Sequence, residues 1–169
     1  IGKITGEVDK QYVEFLLKTN GASILDYCFL GLKNHSLGVN VYDNMRELWQ
    51  SDCLLTFRFW GIVGTSSGEN FGYIDEKDSS GNHYIGYYSA NEPEHVYLVA
   101  SSFNIFIDKF LKQVEASLAI DKNAIYIDND WFLNPQKLII DDIEMAQYLQ
   151  SQETSEYNLL DRKFDKRKY

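Results

Sequence analysis

Four glycines follow an apolar run in the segment from Phe59 to Ile74, FWGIVGTSSGENFGYI: Gly61, Gly64, Gly68 and Gly72. Loops that cradle phosphates place glycines just after a strand, so that backbone N–H groups reach the ligand. The spacing here matches neither G-x-x-x-x-G-K-S/T nor G-x-G-x-x-G, and the segment contains no lysine or arginine. We therefore interpret Gly64 and Gly68 as parts of a turn between two strands, and we expect no binding of ATP, GTP or NAD.

The histidines and cysteines are too scattered to indicate a metal site. No two of His35, His83 and His95 stand four residues apart or at zinc-finger spacing, and Cys28 and Cys53 form no C-x-x-C pair. The run DKNAIYIDND lacks the ligand order of a calcium loop. Both cysteines have apolar neighbours, so we expect reduced thiols in the core. We predict no metal and no other cofactor, while a cysteine nucleophile paired with a distant histidine stays open here.

Two pairs of adjacent carboxylates are candidates for acid and base catalysis, Asp75 with Glu76 and Asp141 with Asp142. Neighbouring residues of a strand point to opposite faces, so the first pair cannot flank one substrate as a glycosidase pair does. We interpret Asp75 and Glu76 as part of a solvated face and expect a protein that is not an enzyme. An enzyme whose site is assembled from distant residues is the remaining catalytic alternative.

The charge balance favours a basic protein partner. The 169 residues include 16 basic and 25 acidic side chains, a net charge of -9. A negative field repels phosphate backbones and attracts a basic protein. No apolar run approaches the roughly 20 residues that cross a bilayer, and the opening IGKITGEVDK lacks the layout of a signal peptide. We expect a cytoplasmic protein that binds neither a membrane nor nucleic acid directly.

Two amphipathic helices are predicted to position the candidate glycines, histidines, cysteines and carboxylates. The first, VDKQYVEFLLKTNG, has Asp9 as its cap and Gly21 as its stop. The second begins at Ser101 or Ser102, and its apolar side chains recur at spacings of three and four. They are Phe103, Phe106, Ile107, Phe110, Leu111, Val114 and Leu118, of which we expect Phe103, Phe106, Phe110 and Leu111 to be buried. A shorter helix, YDNMRELWQ, is predicted with Asp43 as its cap and with Met45, Leu48 and Trp49 turned inward.

Five segments between the two amphipathic helices read as strands: ASILDYCFLGL, CLLTFRFW, NFGYIDEK, HYIGYYS and HVYLVA. The link DSSGN predicts a hairpin, because Gly81 and Asn82 accept positive φ at low cost. Strands bracketed by helices, without regular alternation of the two, predict an α+β fold with a largely antiparallel central sheet flanked by helices.

The remaining residues differ in character, and we assign 1–120 to one domain and 121–169 to a C-terminal extension. Within the extension, AIYIDNDWFLN predicts a hairpin that turns at Asp128 to Asp130. KLIIDDIEMAQYLQ predicts a strand or turn that leads into a helix capped by Asp141 or Asp142. The final SQETSEYNLLDRKFDKRKY is polar with a basic end, and we expect an arm with little core of its own.

Residues 9 to 115 resemble the SMI1/KNR4 family, also called the SUKH superfamily. The resemblance lies in the strand GENFGYID, the strand HVYLVA, the helix SSFNIFIDKFL and the end of the first helix. In that helix the matching residues are Tyr12, Phe15, Leu16, Asn20 and Gly21. The chain departs from the family pattern where GEV replaces the usual Leu-Pro, and the region after Asp121 lies outside the pattern.

The resemblance implies a non-enzymatic α+β module that binds another protein. Bacterial members of the family are typically immunity proteins that neutralise a cognate toxin, often a nuclease or a deaminase, and fungal members are linked to the regulation of cell-wall synthesis. The first hypothesis is therefore an immunity protein with a basic toxin domain as its partner. The alternative is a regulatory or scaffold module for a cellular partner. The identity of the partner and the oligomeric state are left open.

Charge and resemblance together suggest a binding face near the central hairpin. Exposed acidic side chains steer a basic partner during encounter, whereas a desolvated aromatic side chain anchors it. The predicted steering groups are Asp75, Glu76, Asp78, Glu92 and Glu94, and the predicted anchor is Tyr87 or Tyr88. The acidic segment from Asp121 to Glu144 is the next candidate face.

Overall fold

The computed structural model describes residues 9–33, 40–50, 59–92, 95–151 and 159–161. In this part of the chain, seven strands form one antiparallel sheet in which every strand pairs with the next along the chain. The strands are β1 (Ala22–Ile24), β2 (Tyr27–Phe29), β3 (Trp60–Gly64), β4 (Glu69–Lys77), β5 (His83–Ser89), β6 (His95–Ala100) and β7 (Leu159–Asp161). The helices are α1 (Lys10–Thr19), α2 (Val41–Gln50), α3 (Phe103–Ile120), α4 (Asp130–Leu133), α5 (Pro135–Leu138) and α6 (Ile143–Ser151). The predicted α+β fold is confirmed.

Helix α1 begins at the predicted cap, Asp9, but its left-handed end is Asn20, one residue before the predicted Gly21. The side chain of Asp9 accepts a hydrogen bond from the backbone N–H of Tyr12 at 2.9 Å, and the helix ends at Asn20, whose φ of 49° is left-handed. Tyr12 is buried, donates its hydroxyl to the carbonyl of Leu30 and packs edge-on against Phe103 with ring centroids 5.4 Å apart. The first helix is thereby fixed against both the sheet and α3.

Among the described helices, none combines the length and the apolar character that crossing a bilayer requires.

The predicted turn between two strands is confirmed, but Gly61 and Gly64 belong to β3, which begins at Trp60, where the strand predicted from CLLTFRFW ends. Residues 65–68 connect β3 to β4, and Gly68 has a φ of +85°, which favours glycine. Gly72 lies where β4 passes close to β3: a Cβ there would stand 2.3 Å from the carbonyl oxygen of Trp60. Gly81 likewise has a positive φ in the β4–β5 hairpin, whereas Asn82 does not.

Helix α3 packs its aromatic side chains on the sheet. Ser102 caps it, and Phe103, Phe106, Phe110 and Val114 are buried. The prediction for Leu111 is wrong, because its side chain is 40% exposed, while Lys109 is buried. The buried face is therefore rotated toward position 109 and away from position 111.

Three further local predictions need correction. ASILDYCFLGL is two paired strands, β1 and β2, because Leu25 adopts a left-handed φ of 56° between them. The cap of α2 is Asn40, whose Oδ1 accepts from the N–H groups of Tyr42 and Asp43 at 3.0 Å each. The hairpin predicted at 128–130 is a short helix, α4, because Trp131 and Phe132 turn together into the core. Residues 51–58 and the side chains of 48 and 49, also assigned from sequence, lie outside the described residues.

The segment after α3 contributes to the same hydrophobic core as the sheet. Its buried apolar side chains are Ile127, Trp131, Phe132, Leu138, Met145 and Leu149. Phe132 packs against Tyr87 of β5, with ring centroids 4.8 Å apart. Asp142 caps α6, as predicted, by accepting from the N–H of Met145 at 3.1 Å. Within the polar end of the chain, β7 pairs with β6 through Val96 and Leu160. The domain boundary after residue 120 stays a prediction.

Candidate functional site

The fold separates the predicted partner-binding residues between two ends of the sheet. In an antiparallel meander, successive connections lie at opposite ends, so the β4–β5 hairpin and the β5–β6 connection are on opposite sides. Strand β5 has seven residues between them, which span roughly 20 Å. We call residues 75–82 the hairpin end, and residues 25–26, 65–69 and 90–92 the turn end. Asp78 and Glu92, predicted as parts of one face, therefore lie at opposite ends of the sheet.

At the hairpin end, Asp78 holds the turn together. Its Oδ1 accepts from the N–H groups of Ser80 at 2.9 Å and Asn82 at 2.7 Å, and its Oδ2 accepts from Nδ2 of Asn82 at 2.8 Å. These contacts fix the backbone of the hairpin, and the residue is half-buried. Asp75 and Glu76 belong to β4, but their side chains lie outside the described part of the structure.

Tyr87 and Tyr88 are both buried, at 6% and 4% exposed. Tyr87 packs against Phe132 and Phe71, and Tyr88 packs against Phe59 with ring centroids 6.0 Å apart. Because both faces of β5 are covered, neither ring offers surface to an incoming protein. The anchor role predicted for these tyrosines therefore loses its physical basis, although contact of the predicted residues with a partner stays untested.

At the turn end, two tyrosine–glutamate pairs stand on neighbouring strands. The hydroxyl of Tyr87 donates to Oε1 of Glu69 at 2.7 Å, and the hydroxyl of Tyr97 donates to Oε2 of Glu92 at 2.8 Å. Tyr87 and Tyr97 are cross-strand partners whose ring centroids lie 6.3 Å apart. Burial, and then the hydrogen bond to Glu92, raises the pKa of Tyr97. Burial, and then the hydrogen bond to Glu69, raises the pKa of Tyr87. Both phenols therefore remain protonated donors.

A third carboxylate at the turn end comes from the β1–β2 turn. Oδ2 of Asp26 accepts from the N–H of Ser66 at 3.1 Å and from its hydroxyl at 2.8 Å. The N–H of Asp26 donates to the carbonyl of Ile125 at 3.0 Å, which brings the loop after α3 to this end. Burial above all, with smaller contributions from Glu69 and Asp26, raises the pKa of Tyr27 to about 12.

The turn end therefore gathers Asp26, Glu69 and Glu92, and the loop that reaches it carries the exposed Asp121 and Asp128. Of the acidic residues predicted to bind a partner, Glu92 belongs to this group with a described side chain, and the predicted Tyr87 reaches it through the hydrogen bond to Glu69. Glu94 lies outside the described residues. Sequence reasoning missed Asp26 and Glu69, although each directly adjoins a turn, in the sequences LD and SSGE.

The side chains of His83 and Cys28 serve the core, and His95 is half-buried, while His35 and Cys53 lie outside the described residues. Nδ1 of His83 lies 2.7 Å from the carbonyl oxygen of Ile74, and its ring packs edge-on against Trp60 and Tyr73. Cys28 is a free thiol that is 1% exposed. Among the residues that the structure describes, no group of three or more His, Cys, Asp or Glu side chains could hold a metal ion.

An antiparallel sheet with helices packed against it, and with carboxylates gathered at one end, defines an α+β module. The chain matches the family model described as SMI1 / KNR4 family (SUKH-1) over residues 6–109, more than half of its length. It therefore belongs to the SMI1/KNR4 family. Comparisons with curated proteins and with solved structures gave no match. Membership supports, in general terms, a protein-binding or immunity-type module.

Proposed function

We propose that this chain is a non-enzymatic immunity protein that binds a cognate basic toxin domain in the cytoplasm and neutralises it. The observation that carries the proposal is the pair of tyrosine–glutamate contacts at the turn end, Tyr87 with Glu69 and Tyr97 with Glu92. The partner-binding surface is the turn end together with the exposed Asp121 and Asp128. This replaces the hairpin end as the first candidate surface.

Electrostatics favour a basic partner at this surface. The chain has a net charge of -9, and toxins that act on nucleic acid are basic where they hold phosphates. Opposite charges on two proteins accelerate their encounter, and the charges at the rim of an interface contribute mainly to the association rate. A carboxylate such as Glu92, exposed in the connection between β5 and β6, is suited to that role.

Hydrogen bonds from the two tyrosines restrict the rotamers of the glutamate side chains before a partner binds. A glutamate side chain loses rotamer freedom when a partner immobilises it, and this loss reduces affinity. The hydroxyls of Tyr87 and Tyr97 donate to Glu69 and Glu92 from the sheet and so favour particular rotamers of both glutamates before a partner binds. Each carboxylate keeps acceptor sites free for a lysine or arginine, because an ionised carboxylate accepts about four hydrogen bonds.

The decisive experiment uses a toxin encoded next to this gene. The toxin domain is expressed alone and together with this chain, and growth, toxin activity and direct binding by surface plasmon resonance are measured. We expect restored growth, inhibition of the toxin in a purified assay, and a complex that weakens as salt increases. A toxin that remains fully active in the presence of excess protein contradicts neutralisation. Stable binding to a cellular regulator instead would favour the alternative, a regulatory or scaffold module.

A further inference from the structure

The pairing of β7 with β6 determines where the chain continues after residue 161. The two strands are antiparallel, and Asp161, the last residue of β7, lies opposite His95, the first residue of β6. The backbone N–H of His95 donates to the carbonyl of Glu92 at 3.0 Å, so β6 begins directly beside the turn end. Strand β7 therefore finishes at the turn end, where residue 162 is attached.

The eight residues that follow β7, RKFDKRKY, are the most basic stretch of the sequence. We call residues 162–169 the basic segment; they lie outside the described residues. They include five of the 16 basic side chains of the chain, and Asp165 is the one acidic residue among them, out of 25 in the chain. The segment therefore has a charge opposite to that of the acidic body to which it is attached.

The carboxylates of Asp26, Glu69 and Glu92 at the turn end accept hydrogen bonds from neutral donors. Within the described part of the chain, no lysine or arginine forms an ion pair with any of the three. Glu92 is exposed, and the other two are half-buried. An ionised carboxylate accepts about four hydrogen bonds, so each keeps acceptor sites for a cation. The negative charge of the turn end is thus not balanced by the described residues.

The basic segment is long enough to cross the turn end. Eight extended residues span at most about 29 Å. Neighbouring strands of a sheet lie about 4.8 Å apart, so β4, three strands from β7, is about 15 Å away. Glu69 is the first residue of β4, and Glu92 lies closer still, beside the start of β6. Both carboxylates are therefore within reach of the segment.

We propose that the basic segment docks across the turn end of its own chain and covers the surface offered to a basic partner. Its lysine and arginine side chains pair with Glu92 and Glu69, and β7 holds the segment at the start of this path. Because the contact is intramolecular, it acts at an effective concentration on the order of 1 mM, and it weakens as salt increases. The docking does not depend on the function proposed above, whereas its consequence, competition with a basic toxin, rests on that function.

The test compares the wild type with a full-length variant whose basic segment has lost its positive charges, the neutral-segment variant. Its changes are Arg162→Gln, Lys163→Gln, Lys166→Gln, Arg167→Gln and Lys168→Gln. The ¹⁵N-labelled variant is titrated with the synthetic peptide RKFDKRKY, and the assigned amide resonances of residues 66, 69 and 92 are followed. We expect a saturable shift with a dissociation constant on the order of 0.1 mM at low salt. A matched peptide with glutamine at the same five positions should give no saturable shift.

In the wild type, the attached segment competes with the added peptide. Its effective concentration exceeds the expected dissociation constant about tenfold, so the peptide should bind the wild type about tenfold more weakly than the neutral-segment variant. Equal affinity for the two proteins would overturn the proposal, and so would equal affinity of the charged and the neutral peptide. Competition that grows with protein concentration would mean that a second copy supplies the segment, which also contradicts docking within one chain.

Charge variants in the neutral-segment background locate the contact. Glu92→Gln should weaken peptide binding about threefold. Glu14→Gln removes an exposed carboxylate of α1, a helix that begins near the hairpin end, where Nε2 of Gln11 lies 3.4 Å from Oδ1 of Asn82. This control should leave the affinity unchanged, and equal effects of the two changes would contradict docking at the turn end. No toxin is present in these titrations, so their failure is distinct from a failure of toxin neutralisation.

Discussion

The carboxylate of Asp142 accepts two hydrogen bonds from Ser101, one from its N–H at 2.9 Å and one from its hydroxyl at 2.6 Å. Asp142 also caps α6 through Met145, and its Oδ2 lies 3.7 Å from Nζ of the buried Lys109. One carboxylate therefore joins the end of β6, the middle of α3 and the start of α6. Burial lowers the pKa of Lys109, and Asp142 opposes that change.

The first prediction concerns this junction. Asp142→Asn keeps the shape of the side chain but leaves Lys109 buried without its counter-charge. Breaking a buried ion pair in this way costs about 3–5 kcal/mol, and urea denaturation at neutral pH measures the loss. Asp141→Asn is the matched control, because its neighbouring carboxylate is 68% exposed. Equal losses for the two variants would mean that the buried carboxylate of Asp142 contributes no more to stability than the exposed carboxylate of Asp141.

The second prediction concerns the face of α3 that packs on the sheet. Phe106 is fully buried against Phe71 and Phe110, so Phe106→Ala should reduce the free energy of unfolding by about 3–5 kcal/mol. Leu111 is 40% exposed, and Leu111→Ala should cost less than about 1 kcal/mol. Thermal and urea denaturation of both variants measure the difference. A large loss of stability for Leu111→Ala would mean that Leu111 is buried, as the sequence pattern predicts.

The sequence of α3 predicts the helix but not which of its residues are buried. The three-and-four spacing of α3 predicts a helix with an apolar face, but Leu111 and Phe110 fit the stripe equally well. The rotation of the helix depends on Lys109, because its ammonium group pairs with the carboxylate of Asp142, 33 positions later in the chain. No local pattern reports such a pairing, because it depends on how α6 returns to the sheet.

Strands β4, β5 and β6 could be predicted because each is a short apolar segment bounded by turn residues. The β1–β2 turn was missed because its left-handed residue is Leu25, which carries no turn signal. The gathering of Asp26, Glu69 and Glu92 was missed for another reason. Their proximity follows from the order of strands, which brings three separate turns to one end of the sheet.

The third prediction tests why glycine occupies position 72. A Cβ there would lie 2.3 Å from the carbonyl oxygen of Trp60 and 2.8 Å from Cα of Gly61, both backbone atoms that cannot move aside cheaply. Gly72→Ala should therefore destabilise the protein by at least about 2 kcal/mol. At Gly81 no atom lies within 4 Å, so Gly81→Ala pays only for its positive φ, about 1 kcal/mol. Denaturation curves that rank the two variants in the opposite order would contradict the close β3–β4 approach.

The fourth prediction is a loss of stability in alkali. The pKa of Tyr27 is raised from 10.0 to about 12, so between these values the unfolded chain releases the phenolic proton while the folded protein retains it. The unfolded state then binds fewer protons, and the free energy of unfolding falls as pH rises through this window. Four other buried tyrosines, Tyr12, Tyr73, Tyr84 and Tyr87, have raised pKa values and act in the same direction.

Tyr27→Phe removes one of these contributions. The decrease in stability between about pH 9 and about pH 11 should therefore be smaller in this variant than in the wild type. Urea midpoints at the two pH values provide the measurement, and an unchanged decrease in Tyr27→Phe would argue against its buried hydroxyl as a source.

The last prediction locates the binding face by moving the same charge at either end of the sheet. Glu92→Lys with Asp128→Lys alters the turn end and the loop that reaches it, and Asp75→Lys with Glu76→Lys alters the hairpin end without changing the structural Asp78. Both double variants change the net charge equally, so a general loss of attraction affects them alike. The turn-end pair should slow association with the cognate toxin about tenfold more than the hairpin-end pair and should flatten its salt dependence. Surface plasmon resonance at two salt concentrations measures association, and circular dichroism checks that both double variants fold. Slower association for the hairpin-end pair than for the turn-end pair would mean that the partner binds at Asp75 and Glu76.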